Sequence, residues 1–135
     1  MLEAYSTNIA VATSSAISFN NVSIEKGCTV KLDAPGTIQL NKKGVYMVSV
    51  DAAGIPTSAG VMSIQLSKDG VLQPQAQSAV TGATTDVDNM SFTTLVQVQQ
   101  DNTCNCCTAP TLIKVVNTGV PATYNIVNIC ITKIC

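Results

Sequence analysis

The sequence predicts an all-β chain folded as an antiparallel β-sandwich, on three observations. Period-2 alternation dominates wherever a pattern can be followed, and apolar spacing of the i, i+3, i+4 kind does not persist for three turns anywhere. Turn signals built on Gly, Pro, Asn and Asp recur at roughly the spacing of short strands. The chain has 135 residues, enough to bury one core but not two ordinary ones, so a single domain over 1–135 is expected, with residues 1–13 as an N-terminal arm.

The elements follow in order. Ala16-Ile17-Ser18-Phe19 leads in, and Thr29-Val30-Lys31-Leu32 alternates before the turn Asp33-Ala34-Pro35-Gly36. Thr37-Ile38-Gln39-Leu40 ends at Asn41-Lys42-Lys43-Gly44. Beyond it Tyr46, Val48 and Val50 share one face and Met47, Ser49 and Asp51 the other, so the two segments read as a hairpin. Residues 52–60, with Gly54, Pro56 and Gly60, read as a loop. Met62, Ile64 and Leu66 alternate with Ser63, Gln65 and Ser67, and Asp69-Gly70 supplies the positive φ angles of a tight hairpin turn. The following strand, 71–80, contains Pro74; proline cannot donate to a ladder, which assigns that strand to an edge.

After a polar stretch over 81–89, Phe92, Thr94, Val96 and Val98 alternate with Ser91, Thr93, Leu95, Gln97 and Gln99. A loop holding Cys104, Cys106 and Cys107 comes next. Leu112 to Asn117 and Tyr124 to Ile134, joined through Thr118-Gly119-Val120-Pro121, are the most apolar strands. Eight or nine short strands at this spacing point to a sandwich or jelly roll rather than a meander.

Composition narrows function. Charged residues are 11% against about 25% in an average domain, so much of the surface must be hydroxyl and amide, or covered. All seven bases are Lys and the net charge is −1, which leaves no basic face for nucleic acid. His and Trp are absent, which excludes a Ser-His-Asp triad, a Cys-His dyad and His-ligated zinc. No run approaches the 18 or so apolar residues of a membrane helix. The opening Met-Leu-Glu-Ala-Tyr has neither the basic start nor the apolar run of a secretory signal. The sequence therefore reads as a non-enzymatic protein without cofactor, made in the cytoplasm and acting as scaffold or binder.

The last strand carries the main functional signal. Val127, Ile129 and Ile131 lie on one face; Ile126, Cys130 and Ile134 lie on the other, with Asn128 and Thr132 between them. A two-layer sandwich buries one face of each sheet, so the second face needs another cover, and a neighbouring subunit would supply it. Tyr46, Val48, Val50, Phe92, Val96 and Val98 join Val127, Ile129 and Ile131 as expected core positions.

Several segments together resemble a known family. Thr37-Ile38-Gln39-Leu40 followed by Lys43-Gly44-Val45-Tyr46-Met47-Val48-Ser49-Val50 is similar to a strand pair of the C1q and tumour-necrosis-factor-like jelly rolls. Met62 to Leu66 with Lys68-Asp69-Gly70 resembles the next strand and turn. Leu112 to Gly119 and Asn125 to Ile134 resemble the closing pair of the bacterial and bacteriophage branch, including the C-terminal domains of collagen-like exosporium glycoproteins. The resemblance spans about 14–134.

It implies a jelly roll that associates as a homotrimer displayed on spores, virions or cell surfaces, with one sheet face turned to the threefold axis. The interface positions would be Met47, Ser49, Thr93, Leu95, Ile126, Asn128 and Cys130. No Gly-X-Y repeat is present to form a collagen stem, and a free-standing chain beginning at Met1 without an export signal suits, by analogy with the family, a bacteriophage virion component, head decoration or fibre, released by lysis. A trimeric receptor- or glycan-binding tip, a spore-surface protein and a cysteine-dependent metal protein are the alternatives. The expected partners are further copies of the chain and other virion or surface proteins, with a glycan or cell-surface receptor under the tip reading; neither nucleic acid nor membrane is expected. Scarce aromatics weigh against the glycan reading, since Tyr5, Tyr46 and Tyr124 are the only tyrosines and two lie in strands.

The cysteines admit several readings. Cys104-Asn105-Cys106-Cys107 offers C-x-C and C-C spacings rather than the paired C-x(2–4)-C of a zinc knuckle. Small apolar residues tolerated in a loop, with Cys28 and Cys130 buried in strands, is the first reading. A disulfide from Cys135 to a loop cysteine or between subunits is the second, and a metal site the third. Thiol catalysis lacks a His or Arg to activate it, Lys114 being the one nearby candidate in sequence. Asp86 and Asp88 group oxygen ligands in one loop, but the Asp-x-Asp spacing falls short of the six to eight oxygens of a calcium site. The sequons at Asn21 and Asn89 carry no weight without a secretory signal.

Overall fold

The computed structural model describes residues 1–99 and 110–135. Eleven strands occur among them: β1 Leu2–Val11, β2 Ser15–Ala16, β3 Asn21–Glu25, β4 Val30–Ala34, β5 Thr37–Leu40, β6 Gly44–Pro56, β7 Gly60–Lys68, β8 Val71–Gly82, β9 Asp88–Val98, β10 Thr111–Asn117 and β11 Ala122–Lys133. They form two antiparallel sheets. The first, five-stranded, runs β3-β1-β11-β6-β9; the second runs β4-β5-β10-β7-β8, with β2 paired to β10. No helix of the described residues is long and apolar enough to cross a membrane.

The alternation read from sequence decides which side chains meet between the layers. From the first sheet come Tyr46, Val48, Val50, Phe92, Val96, Val98, Val127, Ile129 and Ile131, and from the second Ile38, Leu40, Met62, Ile64, Leu66, Ile113 and Val115, all buried. Removing such side chains from water, at roughly 25 cal/mol per Å² of apolar area, is the main term holding the layers together. Along one edge β8 lies against β9 and closes the sandwich. The edge position of the Pro74 strand is as the sequence required, and Asp69 (φ 50°) with Gly70 (φ 84°) forms the expected tight turn between β7 and β8.

Four expectations need correction. Residues 2–11 are not a loose arm: they form β1, paired along its length with β11 and partly with β3. Leu2 and Ala4 are buried, and Ser6, also buried, donates to the Ser18 carbonyl at 2.6 Å and accepts the Asn20 amide at 2.8 Å. Second, segments 37–40 and 44–51 are not a hairpin, because β5 belongs to the second sheet and β6 to the first. The chain turns a corner between layers, pinned by the Tyr46 hydroxyl, which donates to the Lys42 carbonyl at 2.6 Å and accepts its amide at 3.3 Å. Gly44 makes the corner feasible: its φ of 145° is open to glycine, and a Cβ there would collide with the Cys135 carbonyl and the Lys133 side chain.

Third, 52–60 is mostly strand. β6 continues to Pro56 because Ala52, Ala53 and Gly54 still pair with both β9 and β11. Small residues suit a sheet centre where neighbours press close. Fourth, Cys28 is exposed in the turn before β4 rather than buried in a strand, whereas Cys130 is half-buried in β11. The lead-in Ala16 to Phe19 is strand only at Ser15–Ala16; Ile17 and Phe19 are nonetheless fully buried.

Candidate functional site: the outer face of the five-stranded sheet

The seven positions expected at a subunit interface fall on one surface. Cross-strand register sets Met47 of β6 opposite Leu95 of β9 and Thr132 of β11, and Ser49 opposite Thr93 and Cys130. One row further, Asp51 faces Ser91 and Asn128, and Ala53 faces Ile126 and Asn89. All point away from the core, because their neighbours Tyr46, Val48, Val50, Phe92 and Val127 point into it.

Three of the seven are large apolar side chains left open: Met47 is 42% exposed, Leu95 58% and Ile126 47%. Between them the surface is hydroxyl and amide, with Ser49 Oγ and Thr93 Oγ1 in a hydrogen bond at 3.3 Å. Asn128 reaches across to β1 and donates to Glu3 Oε1 at 3.5 Å. Beside Ile126 the face dips into a hollow of about 240 Å³ lined by Asp51, Ala53, Asn89, Ser91 and Asn128. Exposed apolar groups interleaved with small hydroxyls and amides are the composition of a protein-contact surface.

The sandwich matches solved structures over its whole length. The PRD1 vertex protein P5 superposes with a TM-score of 0.67 at 17% identity, covering 99% of this chain and 96% of that one. The globular domain of zebrafish complement 1qA protein gives 0.66 at 9% identity over 96% and 94%. Murine APRIL gives 0.67 at 8% identity over 98% of both chains. The chain has the C1q/tumour-necrosis-factor-like jelly-roll fold. No protein-family model and no curated protein sequence matches it.

Within this jelly roll the other candidates do not come together. Asp86 is exposed in the turn between β8 and β9, and Asp88 opens β9 half-buried. Among the described residues no three His, Cys, Asp or Glu side chains are grouped to hold a metal ion. Cys28, Cys130 and Cys135 are free thiols, and Cys104, Cys106 and Cys107 lie outside the described residues. Lys114 stands exposed on β10, on the opposite sheet from Cys130.

Two features of the jelly-roll face escaped the sequence reading of the interface. Asp51 is the one carboxylate at the outward positions of β6, β9 and β11; its alternation with Met47 and Ser49 was the available signal. Tyr5 and Glu3 extend the face onto β1, which a reading of residues 1–13 as an arm could not anticipate.

Proposed function

We propose that this chain is a non-enzymatic structural protein that assembles as a homotrimer through the outer face of the five-stranded sheet and serves as a displayed component of a bacteriophage virion or a similar surface. The observation that carries this reading is the exposed set Met47, Leu95 and Ile126 on a face whose carboxylates are Asp51 on β6 and Glu3 on β1, the latter accepting from Asn128. Covering it with other copies removes apolar area from water at little electrostatic cost. The resemblance to C1q and tumour-necrosis-factor-like jelly rolls, which associate as trimers, supports the same assembly. Similarity to a vertex protein supports the virion setting.

Light-scattering mass of the full chain tests the reading, alone, with reductant and with EDTA. A trimer mass in all three supports assembly by surface burial. A monomer in all three overturns it, and loss of the trimer only with EDTA or only with reductant replaces it with assembly by a metal ion or by interchain disulfides.

A further inference from the structure

The second hollow lies on the opposite side of the molecule, on the outer face of the six-stranded sheet. It measures about 350 Å³, within the lower range of small-ligand sites. Its walls come from three places: Ser14 before β2, Ser67 and Asp69 at the end of β7 and its turn, and Leu112, Lys114 and Val116 on β10. Ser67 and Lys114 are direct cross-strand partners, so their side chains stand next to each other on the outward surface.

Ser67 is the unusual member. It is 6% exposed, yet its hydroxyl makes no hydrogen bond with any described residue. Among the described residues no side-chain nitrogen or oxygen sealed from solvent lacks a partner, so the remaining accessible surface of the Ser67 oxygen is what keeps it hydrated. It is one of the residues that line the hollow. Lys114 beside it is exposed and has no ion pair among the described residues. Asp69 spends one carboxylate oxygen on the Leu112 amide at 2.9 Å and keeps the other available. The hollow is thus lined by a cation and a hydroxyl side by side, a hydrogen-bond acceptor at the hairpin end and two aliphatic side chains.

We propose that this hollow binds a small acidic sugar of the uronic-acid type. Its carboxylate would pair with the Lys114 ammonium and accept from the Ser67 hydroxyl, a ring hydroxyl would donate to Asp69, and its C–H face would rest on Leu112 and Val116. The alternatives fit less well. Phosphate brings two charges to a site with one cation and a nearby carboxylate. A neutral hexose leaves the ammonium without a charged partner, and a simple amino acid such as glycine, whose ammonium could meet Asp69, has no C–H ring face to rest on Leu112 and Val116. Single-site affinity is expected in the millimolar range, since one exposed ion pair contributes little; display in several copies would raise it by avidity. The lining named here comes from one chain and from the sheet opposite the proposed subunit contact, so the site does not depend on the trimer.

The test is an amide NMR titration of the uniformly labelled full chain with sodium glucuronate, and in parallel with glucose, inorganic phosphate and glycine. The expected result is saturable movement of the Ser67, Gly70 and Lys114 amides with glucuronate, about tenfold weaker with glucose. Lys114→Gln and Ser67→Ala should each weaken binding severalfold while the remaining spectrum keeps its positions; the exposed Lys114 site guarantees one variant that folds. Absence of movement, equal response to phosphate, glycine or glucose, or variants that bind as the parent does would each overturn the proposal. A monomeric mass by light scattering would remove the trimer reading and leave this titration intact.

Discussion

The two outward faces of the sandwich are built by the same alternation and differ in what the alternation leaves outside. On the six-stranded sheet the outward positions mix amides and lysines, Lys31, Gln39, Gln65, Gln77 and Lys114, with aliphatic side chains, among them Val61 (50% exposed), Leu72, Leu112 and Val116; Gln65 folds back to donate to the Gln73 carbonyl at 3.0 Å. The outward positions of β6, β9 and β11 in the five-stranded sheet include Met47, Ser49, Thr93, Leu95, Ile126 and Asn128, with Asp51 as their one carboxylate and Glu3 beyond them on β1. Folding needs only the inner faces to be apolar. The outer faces are free to differ, and here the six-stranded one sets lysines among its aliphatic groups while the outward positions of β6, β9 and β11 carry no cation.

The sharpest way to break that comparison is to place the same charge on each face. Leu95→Glu on the five-stranded sheet should abolish the trimer at micromolar concentration, because a buried unpaired carboxylate in each subunit costs about 3–5 kcal/mol. Leu72→Glu, at a 44% exposed position on β8, should leave the mass unchanged. Both positions are open in the single chain, so both variants should fold. Equal masses for the two, trimeric or monomeric, would erase the distinction between the faces.

A change between the layers should act on both faces at once. Asn117, fully buried at the end of β10, donates to the carbonyls of Val11, Ala12 and Val120 at 3.2–3.3 Å and accepts from the Gly119 amide and the Tyr124 hydroxyl. It ties the end of β1 to the turn before β11. Asn117→Ala strands several of these groups and should destabilise the fold by about 3 kcal/mol, read as a lowered thermal midpoint. Unfolding and dissociation should then move together, whereas Leu95→Glu should separate them.

The partner of that asparagine provides a pH test of the same layer. Burial pushes the Tyr124 phenol up to about 12 from its ordinary 10. The folded state therefore holds the proton more tightly than the unfolded chain does. The associated stability is fully present below pH 10 and is lost as pH rises from about 10 through 12, a loss on the order of 2–3 kcal/mol. Denaturant midpoints measured across that range should fall, and Tyr124→Phe should flatten the fall. A parent curve that stays flat would show that Tyr124 ionises without cost and that the layer is looser than its packing indicates.

What could be read before the structure was whatever rests on alternation. Val127, Ile129 and Ile131 against Ile126 and Cys130 identified both faces of β11, and the seven outward residues fell on one surface because period 2 holds along every strand. What could not be read depends on partners far away in sequence. β1 has the pattern Leu2, Ala4, Ser6, which is too small and polar to stand out; its burial comes from lying between β11 and β3. β3, Asn21–Glu25, is exposed throughout, so no apolar face announced it. The corner at 41–44 looked like a hairpin because local residue types say where a chain turns, not which sheet it enters next. The Lys114 hollow was invisible for the same reason, since Ser14, Ser67 and Lys114 meet only through β7–β10 register and the approach to β2.

Asp51 offers the smallest and most discriminating test of the comparison. It sits opposite Ser91 and Asn128, exposed in the single chain, and is the one carboxylate at the outward positions of β6, β9 and β11, the next being Glu3 on β1. If copies of the chain cover this face through its apolar groups, each Asp51 loses hydration without gaining a cation, because the outward positions of β6, β9 and β11 carry none. Asp51→Asn keeps the shape and removes the charge, so it should tighten association by about tenfold, roughly 1.4 kcal/mol. Sedimentation across a dilution series would measure it. A variant that associates more weakly would mean that the carboxylate accepts hydrogen bonds from a neighbour's amides or hydroxyls. The face would then be held by Ser, Thr and Asn side chains aimed at Asp51, with Met47, Leu95 and Ile126 as its rim.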